Sequence, residues 1–415
     1  MNPRSSSPSR FRNGIGLALV IGGVLGAAYL VARSRAAVAR QAARPARPRL
    51  FDWVQVEGLA TRIARQGGRM TPVTQVKLEG QYREMLRQIA EPLMAYTGGQ
   101  KNLSEAPVRV LDREGWVLTN IPGIRRLLAP IEEAYGDRVE PDAQLPLVPF
   151  FPADALARTA LSGELGFLLG YLSRHVLGQY DIALLTGGVA EPGALYFVEP
   201  NIQATQLRLG LPGREFRLWL TLHEATHAFE FEDTPWVREY LDASLAAYLT
   251  TLVEQITDGQ NLLSPGLGSL LRSVRSGDSL IEAVMSEEQR VLFWRLQALM
   301  TVLEGYATHV MNAVGQQMLT HYREISDRVE GRWQQRSSIQ NWILRLTGLE
   351  LKLEQYRLGD AFFDYIDRER GGDFARRIWE GPNNLPTYPE LREPATWLAR
   401  IQRSDLGMHS GGVHE

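Results

Sequence analysis

Apolar side chains recur at helical spacing through most of the chain beyond residue 50. The clearest case is segment 72–97, which Thr71 and Pro72 introduce as a start signal and Gly98 follows as a stop signal. Between these signals the apolar positions lie three or four residues apart, so they would share one face of a helix. The same spacing predicts further helices at 153–180, 214–231, 235–256, 287–321 and 338–369.

Strand signals are fewer and shorter than helix signals. Segment 106–111 alternates apolar and polar residues, and segment 183–198 indicates two short strands around a Gly/Pro turn. The pattern therefore predicts a mainly α-helical fold with a small β element.

The first fifty residues differ in character from the rest of the chain. Between Arg12 and Arg33 all residues are uncharged, and a helix over 13–32 would span the roughly 30 Å hydrocarbon core of a bilayer. The run is longer than the apolar region of a signal peptide, about 7–15 residues, and arginines follow where a cleavage site is expected. We therefore expect an uncleaved single-pass anchor in the cell membrane.

The arginines on the two sides of this anchor predict its orientation. Three precede it in a tail at 1–12, and six follow it in a linker at 33–50 that is rich in Arg, Pro and Ala. Because positive charge concentrates on the cytoplasmic side, we expect the folded domain at 51–402 to lie in the cytoplasm. Residues 403–415 form a tail that we expect to be disordered.

Composition restricts the chemistry that the chain can perform. The 415 residues include 45 Lys and Arg against 47 Asp and Glu, and the net charge of -2 gives no reason to expect nucleic acid as a partner. There is no cysteine, which excludes disulfides, thiolate metal ligands and a cysteine nucleophile. Any metal must therefore be bound by His, Asp or Glu, and the sequence has seven histidines.

Two of these histidines have the spacing of a metal site. His223 and His227 flank Glu224 in the sequence HEATH, which matches the pattern H-E-x-x-H. Residues four apart on a helix lie one above the other, so both imidazoles could bind one Zn²⁺ ion through ring nitrogens. Glu224 would then act as general base and take a proton from the attacking water, which the ion acidifies.

A catalytic zinc site needs a third protein ligand and one open position. We predict Glu304 as this ligand, because it lies in the apolar helical stretch LMTVLEGYATHVMNAV, where burying an unpaired carboxylate is costly. His309, five residues further on, is an alternative ligand or a transition-state stabiliser. Glu230, three residues after His227, is a second alternative, although three ligands on one helix would strain tetrahedral geometry.

Beyond this motif, the sequence resembles an actinobacterial and chloroflexus-type family of zincin-like hydrolases. Its members are often labelled zinc-dependent metalloproteases or associated with deazaflavin-coenzyme biosynthesis. The resemblance covers residues 51–402 and is carried by the stretches VRVLDREGWVLTNI, LGFLLGYLSRHVLGQYDIALL, FVEPNI, EFRLWLTLHEATHAFEF, PWVREYL, LEGYATHVM and LKLEQYRLGDAFF. It implies a mainly helical zincin-type fold, with the family motif at His223, Glu224 and His227. Glu304 matches the family's acid, whereas the anchor at 13–32 lies outside the shared region.

These observations favour a membrane-anchored zinc metallopeptidase. In this hypothesis Tyr306 or His309 would stabilise the oxyanion that forms on the peptide carbonyl. A zinc hydrolase acting on a small amide or ester metabolite would use the same residues, so only the shape of the cleft separates the two hypotheses. A third hypothesis, a non-catalytic zinc or scaffold protein, predicts a fourth protein ligand that closes the site. The sequence makes no prediction of oligomeric state.

Overall fold

The computed structural model describes residues 49–66, 68–138, 153–180, 193–257, 286–334 and 350–410. The predicted anchor at 13–32 lies outside these residues, as do the tail at 1–12 and nearly all of the linker at 33–50. Within the described part of the chain, no helix combines the length and the apolar composition that a bilayer crossing requires.

Helices make up most of the described residues. They are α1 (Trp53–Ala64), α2 (Pro72–Thr97), α3 (Arg113–Arg138), α4 (Ala153–Leu172), α5 (Glu199–Leu209), α6 (Gly213–Glu232), α7 (Pro235–Thr257), α8 (Glu287–Val310), α9 (Tyr322–Gln334), α10 (Glu350–Arg370), α11 (Gly372–Ala375), α12 (Tyr388–Arg392) and α13 (Pro394–Ser410). Short 3₁₀ helices cover Leu103–Glu105, Arg376–Glu380 and Pro382–Asn384. A π-helix covers Met311–Gly315, and a three-residue α-helical turn, Gln316–Met318, follows it.

Three short strands form one sheet. They are β1 (Val108–Leu111), β2 (Gly178–Tyr180) and β3 (Leu195–Val198), in the order β1-β3-β2. β1 runs parallel to β3 and β2 runs antiparallel to it, with Gly178 opposite Phe197. The prediction of a mainly α-helical fold with a small β element is therefore confirmed.

The chain divides into two compact units. The first contains residues 1–60, 128–169 and 249–290, and the second contains 61–127, 170–248 and 291–415. In the first unit, the Asp52 N–H donates to the Ser162 hydroxyl at 2.7 Å, which ties the start of α1 to α4. The second unit contains the whole sheet and the candidate ligands.

Helix α6 is a central element of the second unit. α2, β2 and β3 all pack against it, and its apolar side chains belong to the main buried core. Full burial of such a side chain contributes about 1.5–3 kcal/mol. Beyond its C-terminus, the Asp233 carboxylate accepts N–H groups from Gln100 and Lys101 at 2.8 and 3.0 Å. The end of α6 is thereby fixed to the loop that follows α2.

The local signals predicted several element boundaries correctly. α2 begins at Pro72, where the Thr71 hydroxyl accepts the Thr74 N–H at 3.2 Å, and it ends at Gly98, whose φ of 74° suits a residue without a side chain. The strand predicted within 106–111 and the helices predicted at 214–231 and 235–256 are also present.

Three boundaries differ from the prediction. α4 ends at Leu172 and residues 178–180 form β2, because pairing with the distant strand β3 overrides their local pattern. α8 changes to a π-helix at Met311, and the backbone is extended at Leu319 (φ -116°, ψ 125°), so the helix stops short of residue 321. α13 continues to Ser410, through Gly407, and so extends into the tail at 403–415 that was expected to be disordered.

Helices α8 and α10 approach each other at a pair of glycines. A Cβ atom built on Gly305 would lie 2.6 Å from the carbonyl carbon of Gly359, and one built on Gly359 would lie 2.6 Å from the Cα of Gly305. Only residues without a side chain allow this approach. Because Glu304 precedes Gly305, this crossing fixes the backbone from which a predicted metal ligand projects.

Candidate metal centre

Helix α6 places the two predicted imidazole ligands on one face. His223 and His227 lie one turn apart, with ring centroids separated by 4.7 Å and ring planes at 80°. Their Nε2 atoms are 3.3 Å apart, and each side chain keeps about a seventh of its surface exposed (13% and 14%). Most apolar side chains of α6 are buried, so the helix cannot rotate without exposing them to solvent.

Helix α8 brings Glu304 to the same point. Its Oε2 atom lies 3.7 Å from Nε2 of His223 and 3.8 Å from Nε2 of His227, and the carboxylate side chain is only 4% exposed. Three ligand atoms about 2.0–2.2 Å from a tetrahedral zinc ion lie about 3.3–3.6 Å from one another. The observed separations are close to these values, so the two nitrogens and one oxygen fit zinc.

A carboxylate contacts the second ring nitrogen of His227, the one that does not face Glu304. Its Nδ1 atom lies 2.7 Å from Oε2 of Glu230, whose side chain is completely buried. Glu230, considered above as an alternative ligand, therefore contacts the ring nitrogen that points away from the common point. A carboxylate in this position fixes the tautomer and the orientation of a metal-binding imidazole.

The electrostatics of the site favour a cation. Burial alone would lower the pKa of His227, but the charges of Glu230, Glu304 and Glu224 outweigh burial and raise this pKa to about 9. Burial raises the pKa of Glu230, and the neighbouring His227 opposes that rise. The negative potential that stabilises a protonated imidazole would also stabilise a divalent metal ion at the same point.

His223 has different neighbours. Its Nδ1 atom lies 3.3 Å from the sulfur of Met311, and its ring lies nearly parallel to that of Trp219, with centroids 6.2 Å apart. Both neighbours could have been identified from spacing, because Trp219 precedes His223 by one helical turn and Met311 follows Glu304 by about two. Neither residue type is a usual zinc ligand, so the metal-site pattern does not single out either residue.

Glu224 lies beside the edge strand of the sheet. It is buried, and a Cβ atom built on Gly178 would lie 2.8 Å from the Glu224 carboxyl carbon. The carboxylate therefore occupies the space that any side chain at position 178 would need. No motif in the sequence indicates this contact, because it depends on the position of β2.

Tyr306 and His309 lie on other faces of α8. Successive residues of a helix turn by about 100°, which places them about 200° and 140° round from Glu304. Tyr306 is 2% exposed and packs against Phe229, Phe363 and Trp379, with ring centroids 6.2, 5.4 and 5.0 Å away.

His309 is also buried, and its Nε2 atom lies 2.8 Å from the hydroxyl of Tyr96. Burial lowers the pKa of His309 and favours its neutral form. Among the described residues, the group of potential metal ligands consists of His223, His227 and Glu304. The structure thus places neither His309 nor Tyr306 in this group, and oxyanion stabilisation by either stays a prediction that their burial does not favour.

Comparisons with known proteins agree with this geometry. The profile of the zincin-like metallopeptidase family matches residues 51–398. A solved structure from Chloroflexus aurantiacus, described as "a putative hydrolase with a novel fold", is 36% identical, covers 85% of this chain and 99% of its own chain, and has a TM-score of 0.63. No curated protein matches the sequence. The family match extends over the region where the resemblance was predicted, and it implies zinc for the ligand group on α6 and α8. The chain belongs to the zincin-like metallopeptidase family.

Proposed function

We propose that this chain is a zinc-dependent peptidase with Glu224 as its general base, held at the cell membrane by residues 13–32. The observation that carries the proposal is the meeting of His223, His227 and Glu304, whose ligand atoms lie 3.3–3.8 Å apart. The family match and the Chloroflexus hydrolase support a zinc hydrolase. The anchor and the cytoplasmic orientation are supported by the uncharged run and the arginines that flank it.

Each residue of the site has a role that follows from its position. His223 and His227 would hold the ion through Nε2, and Glu304 through Oε2. Glu230 holds the Nδ1 atom of His227 and so keeps its Nε2 directed at the ion. When bound, zinc supplies Lewis acidity, which makes water acidic near neutral pH and polarises a carbonyl group.

Glu224 would carry the proton. It follows His223 directly on α6, its side chain is buried, and its negative charge helps to raise the pKa of His227. It would accept a proton from the attacking water and donate it to the leaving amine of the cleaved peptide bond. The backbone of Gly178 restricts the directions in which this carboxylate can turn.

The number of ligating side chains in the described part of the chain favours catalysis over a purely structural metal. In the part of the chain that the structure describes, three ligating side chains come together, whereas a structural zinc site closes with four. A peptide is the favoured substrate because the matching family is one of metallopeptidases. A small amide or ester would use the same residues and is therefore included as an outcome of the test.

The proposal is tested with the full-length chain. Bound zinc is measured by elemental analysis, and hydrolysis is measured on a peptide library and on small amides and esters. We expect the Glu224→Gln variant to bind zinc like the wild type and to lose about 10²–10⁴-fold in turnover, the usual contribution of a general base. Glu215→Gln, the same change in the first turn of α6, is the matched control.

Two results would change the proposal. Undiminished turnover in Glu224→Gln would remove Glu224 from the mechanism. Zinc-dependent cleavage of small amides or esters without cleavage of any peptide would replace the peptidase by a metabolite hydrolase.

A further inference from the structure

His223 has an outer contact that the proposed mechanism does not use. Its Nδ1 atom lies 3.3 Å from the sulfur of Met311, within hydrogen-bonding distance for sulfur. If Nε2 binds the metal, Nδ1 carries the ring hydrogen, so the imidazole donates and the thioether accepts. His227 makes the equivalent contact with the carboxylate of Glu230 at 2.7 Å. The two imidazoles therefore have chemically different outer partners.

Met311 lies at a special point of the backbone. It is buried, and it is the first residue of the π-helix that follows α8. π-helices are rare and are often found at functional sites. Glu304 precedes Met311 by about two helical turns, so one continuous helical segment contributes both the third ligand and this sulfur.

The π-helix is held in place by neighbouring polar side chains. The Tyr322 hydroxyl donates to Oδ1 of Asn312 at 2.7 Å, and Nδ2 of Asn312 donates to Asp360 at 3.3 Å. At its other end, a Cβ atom on Gly315 would lie 2.6 Å from the ring of Tyr322. These contacts fix the backbone next to Met311 and therefore restrict where its sulfur can lie.

We propose that Met311 is a positioning residue for the metal site: its thioether accepts the Nδ1 hydrogen of His223 and holds Nε2 toward the ion. This inference rests on the proposed zinc site. It assigns the π-helix a purpose, because the helix directs a neutral acceptor at the Nδ1 atom of His223.

A neutral acceptor suits the charge of the site. Glu224, Glu230 and Glu304 already place three carboxylates around the imidazoles, and all three side chains are buried. A further carboxylate next to His223 would repel them in surroundings of low dielectric constant. A thioether is a weak acceptor that adds no charge, so it can orient the ring without increasing this repulsion.

Zinc affinity measures this role without any need for hydrolysis. Full-length wild type, Met311→Leu and Met311→Gln are titrated with zinc against a competing chelator, and the absorption spectrum of bound Co²⁺ reports the ligand geometry. Leucine keeps the apolar volume but removes the acceptor, whereas glutamine is unbranched and provides a neutral acceptor oxygen. Met318→Leu, the same change just after the π-helix, is the matched control.

We expect Met311→Leu to bind zinc about tenfold more weakly than the wild type, at the lower end of the effects of outer partners. Its Co²⁺ spectrum should shift, while Met311→Gln and Met318→Leu should stay close to the wild type. The wild type could also bind zinc but hydrolyse no substrate. If Met311→Leu then still loses zinc affinity, the result would support this inference and overturn only the proposed function.

Three results would overturn the inference. One is equal zinc affinity and an unchanged Co²⁺ spectrum in wild type and Met311→Leu. Another is an equal loss in Met311→Leu and Met311→Gln, which would assign the effect to packing. The third is a wild type that binds no zinc, which would overturn the proposed metal site as well.

Discussion

Gly305 and Gly359 bring α8 and α10 into direct backbone contact. Gly305 is the residue that follows the predicted ligand Glu304. A Cβ atom at either position would lie 2.6 Å from main-chain atoms of the other helix, closer than real Cβ contacts come. The absence of two side chains therefore sets the separation of the helices. Since Glu304 is on α8, the same contact determines the position of the backbone from which the Glu304 side chain extends.

Gly305→Ala is expected to damage both stability and metal binding. Overpacking a core costs typically about 1–3 kcal/mol, and we expect the upper end here because main-chain atoms of both helices must move. Zinc affinity should fall as Glu304 is displaced. Urea unfolding and chelator competition measure the two effects.

In the control Gly331→Ala, the new methyl group meets open space on α9, so the helix should become slightly more stable. Equal stability of Gly305→Ala and the wild type would show that the crossing is not tight.

Glu230→Gln is expected to weaken zinc binding. The carboxylate of Glu230 orients His227 from a fully buried position, and loss of such a partner usually costs about 10–100-fold in metal affinity. Titration of zinc against a chelator gives the affinity of each variant. The control is Glu232→Gln, two residues further along α6, whose carboxylate contacts Lys101 and Tyr180 instead. If both variants bound zinc as the wild type does, the buried carboxylate would have no part in orienting the ring.

Gly178→Ala is expected to slow turnover while leaving zinc affinity nearly unchanged. The added methyl group would displace the Glu224 carboxylate, and a displacement of about 1 Å can cost on the order of 10²-fold in rate. The effect should appear in kcat on the best peptide substrate. Gly80→Ala, on α2 with open space around the new methyl group, serves as the control. Normal kcat in Gly178→Ala would mean that Glu224 can act from another position.

The ion-pair cluster at Glu114 predicts a dependence of stability on pH. Hydrogen bonds from Arg65 and Arg69, with Nε–Oε distances of 2.9 and 3.0 Å, lower the pKa of Glu114 to about 2 against the opposing effect of burial. Because the folded pKa lies below the unfolded value, this stabilisation is complete above the unfolded pKa of about 4.5 and disappears as the pH falls towards 2.

Glu114→Gln should therefore unfold more easily than the wild type at pH 7. The difference in the free energy of unfolding should shrink as the pH falls below about 4.5, where the wild-type carboxylate progressively loses its advantage. Urea unfolding at several pH values measures it, with the exposed Glu84→Gln on α2 as control. A difference that stays constant between pH 7 and pH 3 would contradict the assigned role of the charge.

The ligand group could be predicted because its main features are local. His223 and His227 are one turn apart in a predicted helix, and Glu304 is an acid in an apolar helical stretch. Both features can be recognised from the helical period and from the high free energy of a buried, unpaired charge. The meeting of α6 and α8 then follows from the chemistry of the ligands.

The surroundings of the ligands depend on contacts between distant elements. Gly178 could not be linked to Glu224 because its segment was expected to be helical and instead pairs with β3. The change from α-helix to π-helix at Met311 has no local signal either, since the helical spacing continues through it. Tyr306 and His309 are both buried on other faces of α8, and their role in stabilising an oxyanion stays a prediction.

The predicted third ligand, Glu304, lies on a helix far along the chain from His223 and His227, and this separation would link the protein's lifetime to its metal supply. Loss of the ion would remove a cross-link between α6 and α8 that the unfolded chain lacks, because only the native state gathers these side chains. Starvation for the ion would then raise the fraction of molecules open to degradation. The abundance of the protein would thus follow zinc availability even while its synthesis stayed constant.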